Sequence, residues 1–430
     1  MNKIVTMICA IFIATHTVWA ADNVFKLKNG DKVVFYGDSI TDQRLYTVIA
    51  ETFVATRYPH LQIDFVNSGW GGDSVSGGGG GPIDTRLQRD VFAYRPTVVT
   101  IMLGMNDGGY KAETDANDEK YFTGYKHIVE SIRTNLPQAR ILAIEPSPYD
   151  DVTGPPAFPV GSDLQYNEVL RSFGKWIANY AAQSGLDVAD LNSGVVQALR
   201  RAQELDPENA KQIIPGHVHP SFAGHLLLAE GLLKAWQARS VVSAVTLEVS
   251  HGTLKVDSTQ FAEVSHGSFA PTISWTELDE ALPLPFKQWD GMWGGGPVDL
   301  VRRSSDIADA LNQQMLKVKG LASGTYSLKI DGTSVGAFNS DQLTTGVNLA
   351  LLKTPATDQA MKVYQLANSR EEIHYDGWRN IGIPLDEYAL PESRLAVDAL
   401  NHLDDALARK MRETAQPIPH QFELAPVSAK

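Results

Sequence analysis

Strand-like and helix-like segments alternate regularly from Asp31 to about Ser240, and this pattern restricts the fold most. Lys32–Tyr36, Ile63–Val66, Thr97–Leu103, Arg140–Ile144 and Leu186–Leu191 are short apolar runs rich in β-branched residues. Helix-like stretches fall between and after them: Asp42–Arg57, Ile83–Tyr94, Tyr121–Leu136, Asp163–Gln183, Ser193–Glu204 and Phe222–Gln237. Runs such as TVVTIML lack the apolar–polar alternation of a half-exposed strand, so both of their faces are covered. Strands buried on both faces and separated by helices predict an α/β fold, a mostly parallel sheet between two helical layers. Ligands of such sheets bind beyond the carboxyl ends of the strands.

The texture changes near residue 240. Val241–Val256 and Thr325–Ile330 alternate apolar and polar residues, the second before the turn Asp331-Gly332. These are expected to be antiparallel strands. Val298–Val318, Asp358–Ala367 and Glu392–Glu413 read as helices, and the tail from Gln416 as disordered. With 430 residues the chain is long for one core. The expected organisation is a leader (1–20), an α/β domain (21–240), a mixed α+β accessory domain (241–415) and the tail (416–430).

The leader combines Lys3, an apolar run from Ile4 to about Val18, and Val18-Trp19-Ala20 before Ala21. That is the make-up of a cleaved secretory signal, and the run is short for a membrane span. Secretion or export to the periplasm is therefore expected, with no membrane partner after cleavage. The single cysteine, Cys9, lies inside this segment. The mature chain would then have neither a disulfide nor a thiol nucleophile. The net charge of −13 argues against nucleic acid as a partner.

Four short blocks punctuate the first half: Gly37-Asp38-Ser39-Ile40-Thr41, Asn67-Ser68-Gly69-Trp70-Gly71-Gly72-Asp73, Gly104-Met105-Asn106-Asp107 and His219-Pro220. Ser39 stands between a strand and a helix, where its hydroxyl is either a nucleophile or a helix cap. Gly72 can take φ > 0 and aim an N–H into a site. Asn106 is either an oxyanion donor or a turn residue. His219 is placed to act as a general base. Gly77–Gly81, followed by Pro82, is expected to be a mobile or adaptable rim rather than a catalytic element, and it is not a phosphate-binding loop, because no Gly-Lys-Ser/Thr follows. His217, His219 and His225 lack the His-Glu-x-x-His pattern of a metal site, and no cofactor is expected.

Together the blocks resemble the SGNH, or GDSL-type, hydrolase superfamily over roughly residues 31–240. The resemblance implies a three-layer α/β/α, flavodoxin-like fold and serine esterase chemistry. It implies Ser39 as nucleophile and His219 as base, with the Ser39 N–H, the Gly72 N–H and the Asn106 side chain around the oxyanion. Gly72 is chosen within its block because it immediately precedes Asp73-Ser74. The family's Asp-x-x-His reads Gly216-His217-Val218-His219 here, so the acid that orients the base is missing. Either a Ser–His dyad suffices, or Asp206 or Glu208 substitutes, or the protein is a weak enzyme or a binding protein. The substrate is expected to be a small ester or an acylated carbohydrate. Trp275, Trp289, Trp293 and Trp378 either present faces to sugar rings or pack between domains.

Overall fold

The computed structural model describes residues 24–155, 164–269, 272–292 and 297–427. The leader, Cys9 and Trp293 lie outside the described residues. Strands β1 (Lys32–Gly37), β2 (Asp64–Gly69), β3 (Val98–Met102), β4 (Arg140–Ile144) and β5 (Asp187–Ala189) form one sheet. Its order is β2-β1-β3-β4-β5, with every neighbour parallel. All five residues of β3 are buried, which is why that run carries no polar alternation.

The covering helices are α1 (Ser39–Asp42), α2 (Leu45–Arg57), α3 (Ile83–Asp90), α4 (Asp115–Asn135), α5 (Tyr166–Ser184), α6 (Ser193–Leu205) and α7 (Phe222–Ala235). α2 and α6 pack on α7, while α4 packs on α3 and α5, giving an α/β/α sandwich. The expected helix over 42–57 is divided, because Arg44 takes φ 63° between α1 and α2. Gly37 is in register with Gly69 on one side and Met102 on the other. The loops after β1, β2 and β3 therefore leave the sheet at one level. The strand order reverses at β1, the kind of crevice where such sheets bind ligands.

In the second half come β6 (Val241–Ser250), β7 (Thr253–Gln260), β8 (Ala262–Ser268), β9 (Ile273–Asp279), β10 (Gln313–Lys319), β11 (Thr325–Ile330), β12 (Thr333–Asn339), β13 (Val347–Asn348) and β14 (His420–Pro426). They build two sheets, β8-β9-β14-β11-β12 and β13-β10-β6-β7. Asp331 and Gly332, at φ 49° and 75°, make the tight turn between β11 and β12. Helices α8 (Pro355–Tyr375) and α9 (Pro391–Thr414) complete the half, with a π-helical segment at Asp376–Gly382.

Two expectations are corrected here. Val298–Val318 is not one helix: Pro297–Ser304 and Ile307–Leu311 are helical, and β10 follows. In β10, Gln314, Leu316 and Val318 are the buried residues, a period of two that the preceding helical spacing masks. The tail is not disordered up to residue 426. β14 pairs with both β9 and β11, and His420, Phe422 and Leu424 face inward. The second domain therefore extends past 415.

Packing does not respect the boundary near 240. Leu282, Phe286, Trp289, Leu300, Val301, Val363 and Tyr364 belong to the same core as the α/β sheet. Trp289 sits 5.4 Å from Phe222 of α7 and 5.3 Å from Tyr364 of α8, ring centre to ring centre. A separate, smaller core lies between the two second-half sheets, where Trp275 stacks on Phe422. Trp275 and Trp289 are thus packing residues, and neither can offer a face to a sugar.

Candidate active site

The structure brings the four blocks together. Ser39 opens α1, and its Oγ lies 2.8 Å from Nε2 of His219. The capping alternative is resolved by Asp38, whose carboxylate accepts from the Ile40 N–H at 3.0 Å. Thr41 instead bonds Tyr46 Oη at 3.0 Å. The Ser39 hydroxyl is therefore left for the histidine. Burial pushes the Asp38 carboxyl up to about 7, opposed by that same Ile40 N–H.

Gly72 takes φ 77°, and a Cβ placed there would meet no atom within 4 Å. Backbone conformation, not crowding, is what selects glycine at this position. Asn106 donates from Nδ2 to the Asp73 carbonyl at 2.8 Å, which ties the third block to the second. Its neighbour Asp107 accepts from the Val75 N–H at 3.0 Å. Burial raises Asp107 to about 6.

The second block is held from below by Arg86, fully buried on α3. Its Nε donates to Asp73 Oδ2 and its Nη2 to the Ser68 carbonyl, both at 2.7 Å, and it also pairs with Asp90. The glycine run is not a loose rim. Gly77–Gly78 pairs antiparallel with Gly81–Pro82, and the turn packs on this block. A Cβ on Gly80 would sit 2.5 Å from Arg86 Cδ and 2.6 Å from Trp70 Cδ2, so close approach requires glycine there.

His219 has its ring exposed, and burial of part of it lowers its pKa below the usual 6.5. Among the described residues no group partners its Nδ1, and no carboxylate shifts it. The two substitute acids do not reach it. Asp206 caps the short helix Pro207–Ala210 and bonds Asn209, and Glu208 pairs with Lys211 at 2.9 Å. Gly216 adopts φ 71° with open space around its missing side chain.

The three neighbouring histidines do not converge. His217 bonds the Asp150 carbonyl at 2.6 Å. His225 is buried against Tyr46 N and Gln43, and burial pushes its pKa down to about 3. Among the described residues no group of three His, Cys, Asp or Glu side chains is placed to hold a metal ion.

Sequence reasoning missed Arg86, Asp90 and Arg379, and placed Trp378 only as one of several tryptophans. Trp378 donates from Nε1 to Asp90 Oδ1 at 2.7 Å, across 288 residues of chain, and lies edge-on to Trp70 at 5.7 Å. No local signal encodes such a contact.

The family model described as the GDSL-like lipase/acylhydrolase family matches residues 35–227. An acetylxylan esterase of Geobacillus stearothermophilus is 25% identical over 227 residues, which cover 49% of this chain and 95% of that protein. The solved structure of a gut microbial diltiazem-metabolizing enzyme is 25% identical and covers 95% of this chain and 100% of that one, with a TM-score of 0.80.

Proposed function

We propose that this chain, which belongs to the SGNH, or GDSL-type, hydrolase superfamily and is an ester hydrolase, removes short acyl groups through a Ser39 acyl-enzyme. The observation that carries the reading is the 2.8 Å hydrogen bond between Ser39 Oγ and His219 Nε2. His219 Nε2 takes the hydroxyl proton as Oγ attacks the ester carbonyl. The oxyanion that develops is stabilised by the N–H groups of Ser39 and Gly72 and by the Asn106 amide. The intermediate collapses, and His219 hands its proton to the departing alcohol. Water then attacks the acyl-enzyme, giving its proton to His219, which returns it to Ser39 Oγ as the acid leaves.

The base works as half of a Ser–His dyad. Burial lowers the His219 pKa and so favours the neutral ring that can accept a proton, and among the described residues no acid steadies the cation. Acetyl is the favoured acyl group and an acetylated carbohydrate the favoured substrate. The likeness to an acetylxylan esterase supports this. A second reading, a general short-chain aryl or alkyl esterase, is favoured by the likeness along 95% of the chain to the diltiazem-metabolizing enzyme. The leader sequence supports action outside the cytoplasm.

The test is hydrolysis of p-nitrophenyl acetate by the mature protein beside Ser39→Ala. Loss of turnover in the variant is expected, after which acetylated xylan and diltiazem would be compared by kcat/KM. Equal rates from the two folded proteins would contradict serine catalysis. Glycan binding without turnover would point to a binding protein on a hydrolase scaffold.

A further inference from the structure

The loop that carries Gly72 is gripped from two sides by the second half of the chain. We propose that Trp378 and Arg379 are positioning residues that hold the oxyanion loop in register with the nucleophile. This inference rests on the roles given above to Ser39, Gly72 and Asn106.

The first grip acts on the front of the loop. The Arg379 guanidinium lies over the Trp70 ring, and its Nη2 is 3.9 Å from Asp42 Oδ2. That same oxygen accepts the Gly71 N–H at 3.0 Å. Asp42 shares the single turn of α1 with Ser39, so it links the turn bearing the nucleophile to the residue before Gly72. Arg44 adds a second tie from the same region, 3.9 Å from Asp42 and 3.3 Å from Glu372 of α8.

The second grip acts on the back. Trp378 Nε1 bonds Asp90, Asp90 pairs with Arg86, Arg86 bonds Asp73, and the Asp73 carbonyl accepts from Asn106. The Arg86, Asp73 and Asp90 side chains are fully buried. In such a dry setting each bond is strong, and an unpaired member is costly, so the chain of contacts behaves as a unit. It runs without a gap from the π-helical segment to the third catalytic block. Trp70 belongs to both grips, with the Gly80 backbone close against its ring and the Arg379 guanidinium over it.

Oxyanion donors contribute only when aimed within a fraction of an ångström, and small misplacements lower rate without altering ground-state binding. A contact that merely glued the domains would move stability alone. Arg379→Gln and Trp378→Phe separate these cases. The first removes the cation over Trp70, and the second keeps an aromatic ring but removes the N–H that reaches Asp90.

Each variant is assayed with p-nitrophenyl acetate and with phenylboronic acid, which adds to a serine Oγ and places an oxygen in the oxyanion hole. We expect kcat to fall about tenfold while KM stays within about twofold, and the boronate Ki to rise about tenfold. Arg379→Lys, which keeps the charge facing Asp42 but loses the planar stack, should recover part of the rate. Unchanged kcat and Ki in both variants, or losses confined to KM or thermal stability, would overturn the inference. If Ser39→Ala loses turnover and these variants do not, only the positioning roles fail. If the wild type shows no Ser39-dependent turnover, the catalytic reading and the inference fail together.

Discussion

The two halves of the chain differ in how their cores are built. The α/β half recruits Trp289, Leu300 and helix α8 from beyond residue 240 into its own core. The second-half sheets keep a small core of their own around Trp275, Leu316, Leu328 and Phe422. One half is thus completed by its neighbour, and the other closes on itself. A change in sequence texture marks where the type of secondary structure switches, not where the packing divides.

The largest effect is expected from removing the chain after residue 240. The fragment would expose the apolar surfaces of α2 and α7 that now meet α8 and Trp289. Aggregation on purification is expected, and a soluble fragment with full esterase activity would contradict the shared core. Next in size are two tryptophan truncations. Trp289→Ala and Trp275→Ala each empty a fully buried site and should cost about 3–5 kcal/mol. Their consequences should differ. Trp289→Ala should lower the unfolding temperature of the whole protein and reduce activity with it. Trp275→Ala should loosen the second-half sheets while leaving kcat on p-nitrophenyl acetate within about twofold at 25 °C. Equal loss of activity in both, measured beside melting curves, would show the two cores to be one cooperative unit.

A smaller effect, a gain, is expected at Gly216. The site is open, and aspartate tolerates left-handed backbone better than most residues. Gly216→Asp should raise kcat roughly tenfold by steadying the His219 cation. The sign of the pH effect follows from the same charge. In the wild type, burial lowers the His219 pKa, so the acid limb of kcat/KM has its midpoint below 6.5. A new carboxylate favours the protonated ring and moves that limb to higher pH. A rate and a limb that both stay put would show that the missing acid is not what limits His219.

The parallel sheet was legible because buried strands leave unbroken apolar runs, and because glycine-marked turns sit at their ends. The expected site residues Ser39, Gly72, Asn106 and His219 were picked out as punctuation between elements, and the structure brings Ser39 to His219 and Asn106 to Asp73. β10 was not, since its buried Gln314 breaks the apolar pattern expected of a strand. β14 was missed because its alternation is only a few residues long and sits near the end of the chain. The Trp378–Asp90 bond joins residues with no shared local pattern. Such contacts are set by tertiary packing.

Everything proposed for this site depends on Ser39 being a nucleophile activated by His219. Intact-mass measurement after treatment with a fluorophosphonate tests it most directly, using wild type, Ser39→Ala and His219→Ala. One adduct, mapped to Ser39, is expected in the wild type, none in Ser39→Ala and much slower labelling in His219→Ala. Labelling of Ser39→Ala to the same extent, or at another residue of the wild type, would contradict it.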